Sequence, residues 1–286
     1  MFTKENRVFS FIMVSMVYVL ATASALIIFW ALPFHEVWLK LLIADVCATV
    51  ITFIFSLIFK NASVYDPYWS VQPIVITLAF AVGKRLTIVR LLPLIAVFFW
   101  GIRLTANWAY TFKNLNHQDW RYTMLKEKTG ALYPIVNFLG IHMFPTLVVY
   151  ACVLPVVYTF ILDFDLNVFS IIFFALSIGA TVIQMIADLQ MQSFRNKKTG
   201  TFIRVGLWKH ARHPNYLGEI LMWWGIALAF ICANPSLWYL GLGALINTLM
   251  FIFISVPMAD KRMAKRQGFS EYKKQTNVFL PIQLFK

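Results

Sequence analysis

Long apolar runs, separated by short polar or basic segments, make up most of this chain. A helix that crosses a bilayer needs roughly 20 predominantly apolar residues, and runs near this length recur along the sequence. We therefore predict eight spanning helices, of which the third and the seventh are the shortest. Their expected positions are about 8–32, 38–59, 69–83, 89–112, 134–160, 167–193, 215–232 and 236–258.

The composition narrows the class of protein. Of the 286 residues, 60% are hydrophobic and only 13% are charged, and the mean hydropathy is +0.72. Soluble domains of this length are much less apolar, so we predict an all-α polytopic membrane bundle of about seven to eight transmembrane helices. We expect a single integral membrane domain over 1–286, with N-terminal helices in 1–61. The first apolar run lacks a small-residue cleavage site, which predicts a signal anchor.

The basic residues lie mainly in the loops between the apolar runs. Lys and Arg number 25 against 12 Asp and Glu, which gives a net charge of +13. Most of them fall on one side of an eight-span arrangement, so the positive-inside rule places both termini in the cytoplasm. The membrane would be a bacterial inner membrane, or the endoplasmic reticulum in a eukaryote. Lys84, Arg85 and Arg90 are the exception, and they could mean that the third and fourth segments form a re-entrant pair.

The same distribution limits the partners. No soluble basic face and no aromatic RNA-binding pattern occurs, so nucleic acid is not expected. The expected partners are the lipid bilayer and a hydrophobic small molecule, and no protein partner is predicted. Cys47, Cys152 and Cys232 lie in apolar runs without a metal-binding spacing, so no metal site is predicted.

One polar, basic stretch interrupts the apolar sequence, namely Gly206-Leu-Trp-Lys-His-Ala-Arg-His-Pro-Asn-Tyr-Leu-Gly-Glu219. Pro214 favours the first turn of a helix, because its missing N–H would have no partner there. A helix that begins here has free amides and a partial positive charge, which predicts an anion site suited to a phosphate-bearing cofactor. Four basic or titratable side chains precede this helix start: Lys209, His210, Arg212 and His213.

Several ionisable groups fall inside predicted spans, where a charge is rare and usually faces the bundle interior. Glu219 lies one turn into its span and shares a helix face with Asn215. Asp188 belongs to a polar stripe at 184, 188, 192 and 195, and Arg103 is followed one turn later by Asn107. Each group could bind a polar ligand.

Each of these groups also has a purely structural interpretation. Arg103 and Arg195 could extend to the lipid headgroups, and Asp188 and Glu219 could form bridges between helices. Asp45, alone in its span, favours a structural role, and His142 on an apolar helix favours a place in the core.

A second polar stretch, Tyr65-Asp-Pro-Tyr-Trp-Ser70, begins the third predicted span. Asp66 before Pro67 is typical of a helix N-cap. Alternatively, Asp66 or Tyr68 is the proton donor of a reaction in the bundle.

The basic tail at 261–274 also has two interpretations. It could form an amphipathic helix on anionic lipid. It could instead fold back over the loop at 195–213 and close the anion site.

The stretch Gly206–Glu219 resembles the signature of the steroid 5-alpha-reductase-like membrane enzymes, in particular their bacterial-type branch of unassigned substrate. The resemblance continues in Asp188…Phe194-Arg195, Trp100-Gly-Ile-Arg103, Asp260-Lys-Arg-Met263 and Gly268-Phe-Ser-Glu-Tyr272…Phe279-Leu-Pro281, and it covers roughly 62–282. It implies a helical bundle that opens to the cytosol and holds NADPH in its C-terminal half. The cofactor-binding residues that it and the neighbouring polar positions suggest are Arg103, Asn107, Asp188, Arg195, Arg204, Lys209, Arg212, His213, Asn215, Tyr216, Glu219, Arg262 and Tyr272.

The substrate half departs from the family pattern. The reductases that act on steroids carry a Gln-Glu pair and a Tyr that polarise the enone carbonyl. This sequence has no such pair, and Trp100 stands about where the Tyr would be. Asp66 and Tyr68 are therefore the candidate catalytic residues, with Asp66 the nearest acidic substitute.

The sequence predicts an NADPH-dependent reductase of an enone-type C=C bond in a lipid-soluble substrate of steroid or isoprenoid type. The first alternative is a membrane methyltransferase that acts on a lipid or isoprenyl substrate, because such enzymes use a similar Arg-His-Pro-x-Tyr loop to hold S-adenosylmethionine. The extra basic residues at 204–213 and 261–274 favour a phosphorylated cofactor instead. The second alternative is a non-enzymatic lipid or sterol binder, or a transporter.

Overall fold

A computed structural model describes residues 3–163, 165–197 and 200–279. Over these residues the regular secondary structure is helical, apart from an isolated parallel β-bridge between Ala211 and Asn277. The predicted all-α class is confirmed. The α-helices are α1 (Arg7–Ala31), α2 (Val37–Phe59), α3 (Tyr68–Ala81), α4 (Ile88–Thr111), α5 (Trp120–Thr129), α6 (Tyr133–Val136), α7 (Phe144–Ile161), α8 (Val168–Asn196), α9 (Pro214–Ala233), α10 (Leu242–Met250), α11 (Val256–Met263) and α12 (Phe269–Gln275).

Within the described ranges, seven helical runs are long and apolar enough to cross a membrane. The chain is therefore an integral, multi-pass membrane protein in a lipid bilayer. The runs are Arg7–Ala31, Val37–Phe59, Ile88–Thr111, Trp120–Ile161, Val168–Asn196, Pro214–Ala233 and Pro235–Met263.

The third predicted span, 69–83, is the one that these runs do not include. It corresponds to α3, which has 14 residues and a length of about 21 Å at 1.5 Å per residue. The hydrocarbon core is about 30 Å thick, so a count of eight spans is not supported. Because the cytoplasmic placement of both termini depended on an even count, it stays a prediction.

Two of the long runs contain π-helical segments. Asn137–Met143 joins α6 to α7, and Phe251–Ser255 joins α10 to α11. Wider π turns interrupt the regular helical hydrogen bonds and often occur near functional sites. The first segment contains His142, whose side chain is fully buried, as its predicted place in the core requires.

The chain divides into two compact units. Unit 1 comprises Met1–Val82 and Leu104–Leu154, and unit 2 comprises Gly83–Arg103 and Pro155–Lys286. Each unit is therefore built from two separate chain segments; two of the three boundaries fall inside α4 and α7, and the third lies between α3 and α4. The expected single integral domain over 1–286 stays a prediction.

In unit 1, α1 packs chiefly against α2. A buried cluster forms around Val17, Val64 and Leu115. The Tyr18 hydroxyl donates a hydrogen bond to the Val64 carbonyl oxygen at 2.8 Å. This contact ties α1 to the short 3₁₀ turn Ala62–Tyr65, which precedes α3.

In unit 2, α8 and α9 form the most extensive helix pair. Small residues let them approach closely, as is common between membrane helices. A Cβ atom at Gly218 would lie 2.7 Å from the Ala180 carbonyl oxygen, and one at Gly225 would lie 2.7 Å from the Phe173 carbonyl oxygen. The glycines thus bring the polar side chains of the two helices within reach of each other.

Candidate functional site

Helix α9 begins at Pro214, where the sequence predicts it. His213 is the N-cap residue, and its carbonyl oxygen accepts a hydrogen bond from the Leu217 N–H at 3.1 Å. Asn215 lies in the first turn, and its buried Oδ1 atom has no hydrogen-bond partner. An unpaired buried polar atom is costly, so this oxygen is a candidate ligand contact.

Arg103 of α4 lies against polar side chains of α8 and α9. Its Nη1 donates to Asp188 Oδ2 at 2.7 Å, and its Nη2 donates to Gln184 Oε1. The same Nη2 lies 3.9 Å from Glu219 Oε2. The Arg103 side chain is 8% exposed, so the proposed extension toward headgroups is wrong, and the guanidinium pairs inside unit 2.

Glu219 is held by further donors inside unit 2. The indole N–H groups of Trp100 and Trp223 donate to its two carboxylate oxygens at 2.8 and 2.9 Å. The two indole rings pack edge to face, with centroids 4.9 Å apart. Trp100 therefore holds Glu219 in place. Although Trp100 stands about where the Tyr of the steroid reductases would be, its indole N–H is already donated to Glu219 and is not free to donate to a substrate carbonyl.

Three polar atoms in this region stay unpaired although they are buried. They are Arg103 Nε, Gln184 Nε2 and Asn215 Oδ1. Two of them carry N–H donors and the third is an amide oxygen acceptor. The polar stripe predicted on α8 is confirmed at Gln184 and Asp188, which both contact Arg103.

The basic part of the central stretch is paired with an acid. His213 Nε2 lies 2.9 Å from Asp260 Oδ1, and Arg212 Nε lies 3.4 Å from Asp260 Oδ2. Lys273 Nζ also lies 3.4 Å from Asp260 Oδ2. Arg212 further donates from Nη1 to the Thr276 carbonyl oxygen. Arg212 and His213 therefore hold the tail in the structure.

The tail folds back over the loop, as the second interpretation of 261–274 predicts, whereas the closing of an anion site stays a prediction. The N–H groups of Arg212 and His213 donate to the carbonyl oxygens of Asn277 and Val278, each at 3.0 Å. Arg204 Nη2 donates to the Gly268 carbonyl oxygen at 3.0 Å. Leu280 and Pro281, which belong to the same sequence pattern, lie outside the described residues.

Tyr272 of α12 anchors this contact. Its hydroxyl donates to the Trp208 carbonyl oxygen, and burial raises its pKa to about 12. The hydroxyl is therefore protonated at neutral pH and acts as a donor to the backbone. Sequence reasoning assigned Tyr272 to cofactor binding, and the described contacts place it in the packing of α12.

The remaining cofactor candidates lie in different surroundings. Tyr216 stacks on the His213 ring, with centroids 5.0 Å apart, and its ring also contacts Phe251 at 4.8 Å. Asn107 lies one turn after Arg103 on α4 but belongs to unit 1. Four cationic candidates have exposed side chains: Arg195, Arg204, Lys209 and Arg262.

In unit 1, Asp66 does not cap α3, so that interpretation is wrong. The N-cap position belongs to Pro67 and has no side-chain hydrogen bond. Asp66 instead accepts a hydrogen bond from the Tyr122 hydroxyl at 2.5 Å. Burial raises the pKa of Asp66 to about 6, although nearby Arg121 and the Tyr122 hydrogen bond lower it.

Tyr68, the other catalytic candidate, is bound to Asp45. Its hydroxyl donates to Asp45 Oδ1 at 2.8 Å, and Gln72 Nε2 donates to Asp45 Oδ2 at 2.5 Å. Burial and the neighbouring Asp45 raise the pKa of Tyr68 well above 10.0. Sequence reasoning missed the pairing of Asp45 with Tyr68. A signal was present, since Tyr68 and Gln72 are one helical turn apart.

Residues 52–276 match a protein family described as a protein of unknown function, DUF1295. The chain belongs to this family. The DUF1295 match includes the Arg103 cluster, the start of α9 and the folded-back tail. One curated relative is the uncharacterized protein C594.04c of Schizosaccharomyces pombe, which is 26% identical and covers 62% of this chain. The chain spans 60% of that relative's length. No solved structure matches the chain.

Proposed function

We propose that this protein is a membrane-embedded reductase that uses NADPH to reduce a C=C bond of an enone-type, lipid-soluble substrate. One observation carries the proposal. Arg103, Asp188 and Glu219 form a buried charged cluster, and Arg103 Nε, Gln184 Nε2 and Asn215 Oδ1 remain buried without partners in the same unit. A protein that bound only apolar lipid would gain nothing from such costly groups.

The three unpaired polar atoms fit the hydrogen-bonding groups of a dinucleotide. A dinucleotide carries amide and hydroxyl groups that both donate and accept hydrogen bonds, and the three unpaired atoms supply two donors and one acceptor. The N-terminus of α9 favours a phosphate. Exposed cations for further phosphate contacts are Arg195, Arg204, Lys209 and Arg262.

Not every predicted cofactor residue keeps that role in the proposal. Asp260 already contacts Arg212 and His213, so these two residues would position the tail and the start of α9. Asp188 and Glu219 would orient the Arg103 guanidinium. When bound, NADPH would supply the hydride, which is the chemistry that the chain itself lacks.

The chain would also hold the proton that the reduction consumes. Tyr68 donates its hydroxyl proton to Asp45 Oδ1, so it would supply a proton to the reaction only after this hydrogen bond opens. Asp66, with its pKa raised to about 6, carries a carboxyl proton over part of the range below neutral pH. In a reduction of this type, a hydrogen bond to the substrate carbonyl oxygen stabilises the charge that develops there when hydride adds to the β-carbon. The proton would finally reside on the α-carbon.

Ligand-dependent unfolding tests the proposal and its rivals. The protein would be purified in mild detergent, and its unfolding midpoint would be measured with NADPH, NADH or S-adenosylmethionine. We expect NADPH to raise the midpoint, since a ligand that binds only the folded state stabilises it. A rise with S-adenosylmethionine alone would make the protein a methyltransferase. No response to any of the three would favour a lipid or sterol binder.

A further inference from the structure

A cavity of about 520 Å³ lies in unit 2, between α11, α12 and the segment that follows α12. It is within the size range of ligand sites in proteins. The lining residues Val256, Pro257, Asp260 and Lys261 come from the last turns of the candidate span Pro235–Met263. The end of a span lies near the depth of the lipid headgroups.

The cavity has an apolar wall. Val256, Pro257, Ala264, Phe269 and Val278 supply it. Phe269 is only 4% exposed and packs against Phe202 and Tyr272, so this wall is firmly held. An inorganic ion would gain no stabilisation from this apolar wall, whereas the glycerol and first acyl carbons of a lipid would bury apolar area against it.

The cavity lining also contains cationic side chains. Arg212, Lys261 and Lys273 line the cavity together with the single carboxylate of Asp260. That carboxylate is already shared by His213, Arg212 and Lys273. Arg212 is 8% exposed, and its Nε lies 3.4 Å from Asp260 Oδ2 without forming a hydrogen bond. Three cations against one acid leave a net positive charge for an anion.

We propose that this cavity binds the phosphate-bearing headgroup of an anionic phospholipid, with Lys261 and Lys273 on the phosphate and the apolar wall against the acyl chain. The cavity lining includes no residue of the Arg103 cluster, and the proposal does not depend on the proposed reductase activity. Its occupant would join the folded-back tail to the membrane surface, because the lipid would contact both α11 and α12.

The first experiment compares three probes in neutral detergent: short-chain phosphatidylglycerol, short-chain phosphatidylcholine and inorganic phosphate. We expect phosphatidylglycerol alone to raise the unfolding midpoint. An equal rise with phosphatidylcholine would mean that the cations are not needed for lipid binding and would overturn the proposal. A rise with inorganic phosphate that matches the lipid would make this a free-phosphate site. The absence of any response to phosphatidylglycerol would also overturn the proposal.

The second experiment uses matched lysine variants and a titration with phosphatidylglycerol. Lys261→Gln and Lys273→Gln should each weaken binding by about fivefold, and the double variant by about 25-fold, from the usual contribution of a lysine near a lipid surface. The control is the double variant Lys265→Gln and Lys274→Gln, whose exposed lysines lie in the same tail but not in the cavity lining. Equal weakening in the control would mean that only the overall charge acts.

A competition experiment separates this site from the cofactor site. NADPH at saturation should leave phosphatidylglycerol binding unchanged within about twofold. Displacement of the lipid by NADPH would assign the cavity to the nucleotide and overturn the proposal. A failure of NADPH to bind anywhere would contradict the proposed reductase and leave the lipid titration as it stands.

Discussion

The buried carboxylates of the two units meet different partners. In unit 2, Asp188 and Glu219 face the guanidinium of Arg103, at 2.7 and 3.9 Å. In unit 1, Asp45 and Asp66 accept hydrogen bonds from neutral groups, namely Tyr68 and Gln72 for Asp45 and Tyr122 for Asp66. Arg121 also lies near Asp66, but burial outweighs its charge. A cation stabilises an ionised carboxylate, whereas a buried carboxyl with neutral partners keeps its proton more readily.

This difference suggests that the two units have different chemical roles. The paired charges in unit 2 suit the binding and orientation of a polar ligand, because Arg103 holds the two carboxylates in place. The carboxyl of Asp66 and the hydroxyl of Tyr68 in unit 1 suit the holding of a proton. The following variants test whether the two kinds of pairing differ as much as their geometry indicates.

The largest effect is expected for Arg103→Met. The substitution leaves Asp188 and Glu219 buried without their cation, and such a loss costs about 3–5 kcal/mol. The midpoint of thermal unfolding in detergent should fall strongly. The matched control is Arg195→Met, at the exposed end of α8, where a surface substitution changes the free energy of unfolding by only about 0.5 kcal/mol. Equal effects of the two variants would show that the Arg103 pairing contributes nothing.

The next effect concerns the tail of unit 2. Asp260→Asn removes the charge that His213, Arg212 and Lys273 share, at a cost of about 1–3 kcal/mol. Hydrogen exchange in α12 should become faster, because the contact that docks this helix is weaker. Glu271→Gln, an exposed change on α12 itself, should leave exchange unaltered. Unchanged exchange in Asp260→Asn would contradict a docking role for this carboxylate.

Some features of the two regions tested by these variants could be predicted from the sequence. Five of the seven long runs have both edges within about three residues of the predicted positions, because the length of an apolar run is fixed by bilayer thickness. The run Trp120–Ile161 begins well before the predicted 134, and Pro235–Met263 ends after the predicted 258. The helix start at Pro214 was predicted, because Pro restricts the backbone locally. The pairing of His213 with Asp260, which lies 47 positions away, could not be predicted from the sequence. Both residue types could pair equally well with other partners.

The fate of α3 shows the same limit. Its apolar run predicts a span, but the helix ends at Ala81 after 14 residues. The hydrogen bond from Trp100 to Glu219 joins residues 119 positions apart, and no local sequence pattern predicts it. Ionisable residues within apolar runs were correctly singled out at Arg103, Asp188 and Glu219, because their burial is costly unless they are paired.

A smaller effect is expected in unit 1 from Tyr68→Phe. The change leaves Asp45 Oδ1 without its donor, at a cost of about 1–2 kcal/mol. Tyr68→Phe combined with Asp45→Asn should be less destabilising than the sum of the single variants, with a coupling energy of about 0.5 kcal/mol or more. Strict additivity would mean that the hydrogen bond is not formed. Tyr239→Phe, whose side chain is 44% exposed, is the matched control.

The smallest effect is a pH dependence due to Asp66. Its pKa is raised from an ordinary 3.8 to about 6, so the folded state binds the proton more tightly than the unfolded state. The stability that this proton contributes is present below about pH 4 and is lost as the pH rises to about 6. The midpoint of unfolding should be less dependent on pH in this window in Asp66→Asn. Asp163→Asn, in an exposed loop, should keep the wild-type profile, and an unchanged profile in Asp66→Asn would contradict the burial argument.

The central claim is that the start of α9 and the Arg103 cluster bind NADPH, and a fluorescence titration with the nucleotide tests it most directly. Asn215→Ala removes a buried oxygen that has no partner within the protein, so folding stability should not fall. NADPH binding should weaken by more than about tenfold, as expected when a ligand's donor loses its acceptor. Asn234→Ala, at the opposite end of α9, should bind like wild type. Equal NADPH affinity in wild type and Asn215→Ala, or no NADPH binding by the wild-type protein, would contradict the claim.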